Sequence, residues 1–168
     1  MEHRYFQEKY ETMPRGKMTE QQSRKLVRQV KYVWDNVPCY RALMETKGVA
    51  PENIGGIEDL HKLPFISKED LRDQYPYGFL ATDIKNCVRI HSTSGTTGRR
   101  VVAFYTQRDI DMWEECCARA IVAAGGSDGD ICHVSYGYGL FTGGSGLHGG
   151  SQDRKSTRLN SSHTNLSR

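Results

Sequence analysis

The residues best suited to chemistry form one short loop, Ser92-Thr93-Ser94-Gly95-Thr96-Thr97-Gly98-Arg99-Arg100. Gly95 and Gly98 permit positive φ angles, so backbone N–H groups can approach a polyanion closely. Successive N–H groups in such a turn form an anion-binding concavity. Hydroxyl groups would add donors for phosphate oxygens, and those of the loop belong to Ser94, Thr96 and Thr97. The pattern is typical of a loop that holds a triphosphate, with Arg99 or Arg100 adding positive charge.

The spacing of this loop excludes a Walker A motif. GxxxxGK[ST] is absent, and a strand rather than a helix is expected to follow the loop. A hairpin turn rich in Ser, Thr and Gly would explain the same composition without any ligand. From the residues alone, the phosphate loop and the hairpin turn both stay open.

Helices are predicted to fill the first half of the chain. Thr19, with Gln22 three residues later, predicts a helix start. Apolar residues at helical spacing then predict a buried face over about 20–36, made of Leu26, Val27, Val30, Val33, Trp34 and Val37. A second helix is predicted from Pro38 to a stop at Gly48. A third, short helix is predicted to be capped by Ser67 and ended by Pro76.

Strands alternate with a helix in the second half. The strands are predicted at 87–92, 101–105 and 131–136. Between them, Thr106 with Asp109 predicts a helix cap, and Gly125-Gly126 predicts the helix end. The apolar stripe of that helix is predicted to be Ile110, Trp113, Cys117, Ala120, Ile121 and Ala124. A loop rich in glycine and aromatic residues, GYGLFTGGSG, is predicted over 137–146.

This alternation predicts an α/β fold with an at least partly parallel sheet. Three strands are too few to close such a sheet. The α/β core is therefore expected to be incomplete. We divide the chain into three parts, which are a mostly helical region, 1–85, the start of the incomplete α/β core, 86–152, and a tail, 153–168.

Composition narrows the functional classes. The chain has 23 basic and 20 acidic residues, but four basic residues and one acidic residue lie in the tail. The other 152 residues are neutral, so no nucleic-acid partner is expected. No apolar run approaches the roughly 20 residues that span a bilayer, and the N-terminus lacks the apolar core of a signal peptide. We expect no membrane association and a cytoplasmic location.

The titratable side chains give no second motif. The five cysteines have no framework spacing, which predicts reduced thiols, and without a CxxC or HExxH pattern no metal site is expected. Other candidates are interpreted as packed rather than catalytic, namely Trp113, Cys116 and Cys117 in a helix core and His91 and His133 on strands.

The sequence resembles the phenylacetate–CoA ligase family of the acyl-adenylate-forming superfamily. TSGTTG is similar to the phosphate-binding signature of the superfamily, although Arg99-Arg100 stands where Lys-Pro is usual. YTQRDIDMW and AAGGSDGDICHVSYGYGLFTGG are similar to the phenylacetate–CoA ligases in content and spacing. So are NVPCYRALMETKGVAPENI and DLHKLPFISKEDLRDQYPYG near the start. Departures begin after His148, where the family usually has an aromatic and a small residue.

The resemblance implies an ATP-dependent acid–thiol ligase that forms acyl-AMP and then acyl-CoA. It implies ATP, Mg²⁺ and coenzyme A as cofactors and a small aryl carboxylate as substrate. Ser94, Gly95, Thr96, Thr97 and Gly98 would bind the phosphates. Tyr136, Phe141, Gly143 and Gly144 would line the acyl pocket. A homodimer is an open question, since members of the family often pair.

The resemblance also predicts an N-terminal fragment, the start of the large α/β domain of such a ligase. The family's adenine, ribose and Mg²⁺ motifs and its catalytic lysine would lie further along, so no catalytic residue is expected here. We expect the 168-residue chain alone to be inactive. The tail offers no helical or strand period, and its DRKSTRLNSSH is similar to a translated sequencing-adapter oligonucleotide, so we expect 153–168 to be non-native or disordered.

Two alternatives stay open. The parent could be an adenylating enzyme that passes its acyl group to another acceptor, which the part beyond this chain would decide. The chain could also be a stand-alone nucleotide-binding module with a genuine basic tail. The charge neutrality of the first 152 residues argues against that module.

Overall fold

A computed structural model describes residues 5–93, 95, 98, 100–127, 129–135, 143–152 and 158–159. The described chain forms two compact units. The helical unit comprises the described residues within 12–86 and 95–102, and the sheet unit comprises the described residues within 1–11, 87–94 and 103–168. The assignment of 1–85 to the helical part of a nucleotide-binding domain, and of 153–168 to a non-native tail, stays a prediction.

The helical unit is built on two helices, α2 (Arg15–Asn36) and α3 (Pro38–Thr46). Short 3-10 turns at Pro51–Asn53, Ile57–Lys62 and Ile84–Asn86 and the helix α4 (Lys68–Asp73) complete it. Its core consists of Val30, Met44 and Ile54, against which Leu26, Trp34, Tyr40, Val49 and Leu63 pack. The predicted apolar face of the first long helix is therefore the face that packs on α3.

Most local start and stop signals in this unit are confirmed, but α4 ends at Asp73, ahead of the predicted stop at Pro76. Pro38 occupies the first turn of α3, and Gly48 follows its end with φ of 69°. Ser67 caps α4 by accepting a hydrogen bond from the backbone N–H of Asp70. The predicted start of α2 at Thr19 is wrong, because the helix begins at Arg15 after an extended Pro14. The fixed φ of proline suits a helix boundary, and the N–H of Met18 already bonds to the Pro14 carbonyl.

The sheet unit begins with helix α1 (Glu8–Glu11), and its two main strands are β1 (Cys87–Ser92) and β2 (Val102–Thr106), which pair in one sheet. Val102 is grouped with the helical unit, and the rest of β2 lies in the sheet unit. Both strands lie within one residue of their predicted bounds. Helix α5 (Gln107–Ala123) follows, and Thr106 caps it in a reciprocal pair with Asp109 as predicted. Arg119 of α5 donates to Gln7, which ties the N-terminal segment to this helix.

The predicted buried stripe of α5 is partly wrong. Ala120, Ala124 and Cys116 are exposed, whereas Ala118 is buried with Ile110. The reason is the position of the neighbouring helix α6 (Gly143–Gln152), which packs along α5. Gly150 of α6 lies against Cys117 and Ala118, so the contact with α6 sets which face of α5 is buried.

Helix α6 also corrects the predicted loop over 137–146, since residues 143–146 are helical. Five of its ten residues are glycine, and glycine costs about 1 kcal/mol relative to alanine inside a helix. Local propensity therefore argued for a loop. Tertiary packing overrides it, because Gly146, Gly149 and Gly150 let the two helix backbones approach closely.

The third predicted strand is shorter than expected. Strand β3 covers only Ile131–Cys132, Ile131 is 77% exposed, and the buried residue of this stretch is Val134. His133 follows the strand and is exposed, so its predicted packing on a strand is wrong. β3 pairs in parallel with β4 (Arg158–Leu159), which lies in the predicted tail. The tail therefore contains a two-residue strand that its sequence pattern did not indicate.

Replacing Thr106 with alanine should lower the free energy of unfolding of the sheet unit by about 1 kcal/mol, because the backbone N–H of Asp109 loses its acceptor. Thr106→Ser keeps the hydroxyl group and should lose much less. Urea unfolding monitored by circular dichroism measures both. Equal losses for the two variants would contradict a capping role.

Replacing Gly146 with alanine should destabilise the sheet unit by about 1–3 kcal/mol, because the added Cβ would overlap the ring of Trp113. Gly129→Ala is the matched control in the same unit. Its Cβ would meet only the Ser127 Oγ, at 3.8 Å. Thermal unfolding of the two variants compares them directly, and a Gly146→Ala variant as stable as the control would show that α6 does not pack as described.

Candidate functional site

The predicted phosphate loop is described at Gly95, Gly98 and Arg100, whereas Ser94, Thr96 and Thr97 lie outside the described residues. Gly95 has a φ of 73° and Gly98 a φ of 123°. Both angles lie in the region that side chains with a Cβ rarely adopt. The N–H of Gly98 donates to the Gly95 carbonyl at 3.2 Å and closes a tight turn. Both glycines thus adopt the positive φ that glycine permits.

Arg100 contributes to the shape of this turn. A Cβ atom at position 95 would lie 2.7 Å from the Arg100 Cγ and 3.3 Å from the Gly98 carbonyl oxygen. Glycine at 95 is thus required by the backbone angle and also by the close approach of the arginine stem. The guanidinium belongs to an exposed residue at the same turn. A glycine turn beside a cation is chemically suited to an anion such as phosphate.

The second predicted site lies at the start of α6. Tyr136 and Phe141 lie outside the described residues. Gly143 and Gly144 form the first turn of α6, and Gly144 is buried. The structure therefore brings the two glycines together on one helix turn. Their role in an acyl pocket stays a prediction.

A cluster of three aromatic rings contacts α6 at Gly146 and was not predicted as a unit. Tyr105 stacks on Trp113 with centroids 5.6 Å apart, and the buried His91 meets both rings edge-on at 5.4 and 5.6 Å. The Trp113 ring in turn contacts Gly146. The prediction that His91 and Trp113 are packed residues is consistent with this cluster. His91 and Tyr105 were predicted to lie on strands, but nothing in the sequence showed that their side chains meet.

Nucleophilic and metal chemistry find little support among the described residues. The described part of the chain holds no group of three His, Cys, Asp or Glu residues that could bind a metal ion. All five cysteines are free thiols. Burial raises the pKa of the Cys117 thiol, with smaller contributions from Cys116 and Glu114, and burial raises the pKa of Cys39. A raised pKa disfavours the thiolate, which is the reactive form.

No helix among the described residues is long and apolar enough to cross a membrane.

The carboxylate pKa values that are clearly lowered belong to structural turns. That of Asp70 is held down by hydrogen bonds from the backbone and side chain of Ser67, and that of Asp83 by hydrogen bonds from Lys85. These acids cap turns and do not mark a site.

The fold matches part of the adenylate-forming ligase fold. A solved structure of 2-hydroxyisobutyryl-CoA ligase with 2-HIB-AMP and CoA matches with a TM-score of 0.85 at 25% sequence identity, over 96% of this chain and 35% of that protein. An open conformation of the same ligase matches with a TM-score of 0.80 at 23% identity, over 92% of this chain and 34% of that one. The predicted α/β class, as part of the adenylate-forming ligase fold, is confirmed.

Sequence relatives then give the family. Phenylacetate-coenzyme A ligase of Thermus thermophilus is 46% identical over 147 residues, which are 88% of this chain and 33% of that enzyme. The enzyme of the same name from Pseudomonas putida is 52% identical over 73% of this chain and 28% of its own length. That of Escherichia coli is 47% identical over 78% and 30%. No family model matches the sequence. The chain belongs to the phenylacetate–CoA ligase family and spans about a third of the length of the curated relatives it matches.

Cys116 and Cys117 should differ in reactivity toward a thiol reagent such as Ellman's reagent. Cys116 is exposed, whereas Cys117 is half-buried and its pKa is raised. We expect Cys116→Ser to remove the fastest phase of labelling near neutral pH, because a higher pKa leaves less thiolate on Cys117. Cys117→Ser is the matched control and should keep that phase. A fast phase that survives Cys116→Ser and disappears with Cys117→Ser would contradict the assignment.

Proposed function

We propose that this chain is part of an AMP-forming aryl-acid–CoA ligase and supplies its phosphate-binding loop and one wall of its acyl pocket. The observation that carries the proposal is the turn at Gly95 and Gly98, with both glycines at positive φ. That turn lies within a sequence 46% identical to a phenylacetate-coenzyme A ligase over 147 residues. The parent enzyme would be an acid–thiol ligase.

The chemistry explains why such a loop is needed. A carboxylate is a poor acyl donor, so its oxygen first attacks the α-phosphorus of ATP, which gives an acyl-adenylate and releases pyrophosphate. The thiolate of coenzyme A then attacks the acyl carbon, and AMP leaves with the bonding electrons. Negative charge stays concentrated on the phosphates during the first step, and fixed N–H donors lower its energy. In this chain the donors would be the loop from Ser94 to Gly98, assisted by Arg100.

The substrate class that we propose is a small aryl carboxylate, with phenylacetate as the first candidate. The names of the relatives support it. Tyr136 and Phe141 would be the aromatic walls of the acyl pocket, and Gly143 and Gly144 would leave room for a flat ring beside the backbone. The aromatic cluster around Trp113 would support that wall from behind, since the Trp113 ring contacts Gly146.

The parent would also use Mg²⁺ and coenzyme A, and it would work in the cytoplasm. The proposal leaves open whether the parent is a homodimer. Mg²⁺ would neutralise phosphate charge, and its ligands would come from outside the described residues. We propose that the 168-residue chain alone has no ligase activity. The relatives are about three times its matched length.

A chimera tests the proposed function. The 147 matched residues of this chain would replace those of the Thermus thermophilus relative, and acyl-CoA formation from phenylacetate, ATP and coenzyme A would be measured. We expect an active chimera. Gly95→Ala in that chimera should lower kcat/KM for ATP about tenfold or more, because a non-glycine residue at this φ costs on the order of 1–3 kcal/mol.

Gly16→Ala is the matched control for the loop substitution. Gly16 lies in the first turns of α2, and an added Cβ would meet nothing within 4 Å. The control should keep full activity. A folded chimera without ligase activity, or one in which Gly95→Ala is as active as Gly16→Ala, would contradict the proposed role of the loop. Ligase activity of the isolated 168-residue chain would contradict the proposed inactivity.

A further inference from the structure

Helix α2 carries an excess of positive charge. Its sequence holds six basic and two acidic residues. Both acids are paired within the helix, since Glu20 lies 3.5 Å from Arg24 and Asp35 lies 2.7 Å from Lys31. The other four cations have no ion pair among the described residues, and they are Arg15, Lys17, Lys25 and Arg28.

A concave surface of about 740 Å³ lies along this helix and is lined by residues of α2 and by Gly55. Its cations are Arg24, Lys25 and Arg28, which are exposed, and Val27 adds an apolar side chain that is half-buried. Arg24 and Arg28 are four residues apart, so they project from the same side of the helix about one turn, roughly 6 Å, apart. The concave surface therefore presents two arginines at a regular spacing beside an apolar residue.

Most acids beside this surface are already engaged. Glu20 pairs within α2. Asp59 accepts a hydrogen bond from the backbone N–H of Gly55 at 2.7 Å and lies 2.7 Å from the Lys62 Nζ. Glu58, in the same loop as Gly55, has no ion pair among the described residues. The positive excess of α2 is thus only partly balanced locally, and the Gly55 N–H is not available to an added anion.

The partner class follows from what the rest of α2 does. A basic amphipathic helix suits either an anionic membrane surface or an acidic partner helix. Membrane binding would need the apolar face of α2, but that face is used in the core, where Val30 packs with Met44 and Ile54. What remains for a partner is side-chain cations and Val27. Such a surface suits a helix that carries carboxylates at positions i and i+4 next to an apolar side chain.

We propose that the concave surface of α2 binds an acidic amphipathic helix of a partner protein. Two carboxylates of that helix, at positions i and i+4, pair with Arg24 and Arg28, and an apolar side chain between them contacts Val27. Ion pairs between exposed groups are individually weak and are screened by salt, so we expect modest affinity that falls as salt rises. The proposal concerns an interaction surface and does not depend on the proposed ligase function.

A synthetic amphipathic helix with glutamates at i and i+4 and leucine at i+3 is the probe, and fluorescence anisotropy measures its binding to the 168-residue chain. Arg24→Glu with Arg28→Glu should weaken binding at least about tenfold at low salt, because like charges then face each other. A second probe with lysines in place of the two glutamates should bind this double variant and not the unmodified chain. Lys68→Glu is the matched control, since Lys68 is exposed on α4 of the same unit, and it should bind the first probe like the unmodified chain.

Circular dichroism checks that each variant is folded, and Arg28→Glu alone takes the place of a double variant that does not fold. Failure of the unmodified chain to bind the first probe would overturn the proposal. So would a folded charge-reversed variant that binds the first probe as well as the unmodified chain does, or that does not bind the lysine probe. If vesicles of anionic lipid bind more tightly than the first probe, the partner is a membrane and the proposal fails.

The chimera with the Thermus thermophilus relative separates this surface from the proposed function. A folded chimera should bind the first probe, and one that does not would overturn the proposal, because the rest of the enzyme would then cover α2. A chimera that binds the probe but forms no acyl-CoA contradicts the proposed function alone.

Discussion

The close contact between Gly146 and the ring of Trp113 is the constraint on which the sheet unit depends. Trp113 also stacks on Tyr105 and meets the His91 ring edge-on. These four residues come from α6, α5, β2 and β1, so a single cluster ties all the larger elements of the unit together. Because there is no side chain at position 146, the backbone of α6 can come within reach of the indole.

The same contact explains why residues 143–152 form a helix. Its sequence, GGSGLHGGSQ, is half glycine and would be a poor helix in isolation. A short helix of this kind gains its stability from tertiary packing. Gly149 and Gly150 lie against Glu114 and Cys117 of α5, which extends the close approach over about one helical turn. Ser151 is fully buried and donates to the carbonyl of Leu147, so the last turn keeps its polar group satisfied.

Features that depend on contacts within a few residues could be predicted from the sequence, whereas features that depend on distant partners could not. Caps at Ser67 and Thr106, the start of α3 at Pro38 and the stop at Gly48 depend on contacts within a few residues, and all were predicted correctly. Helix α6, the buried face of α5 and the pairing of β3 with β4 depend on partners far along the chain. Propensity alone gave a loop for residues 143–146 and no structure for 158–159. The start of α2 shows the limit even of local signals, since Pro14 outweighed the capping pattern at Thr19.

The same difference between local and long-range interactions applies to the candidate site. Glycine was recognised as permitting positive φ at 95 and 98, and both residues adopt it, because the backbone angle is a property of the turn itself. The ring cluster of His91, Tyr105 and Trp113 was not predicted, because it needs two strands and a helix to be placed first. Glycine therefore has two physical roles in this chain. In the loop it permits a backbone angle and leaves room for Arg100, and in α6 it permits a distance between helices. Only the first role can be recognised from neighbouring residues. The second role positions Gly143 and Gly144, so a local sequence pattern can suggest the acyl pocket but cannot establish its geometry.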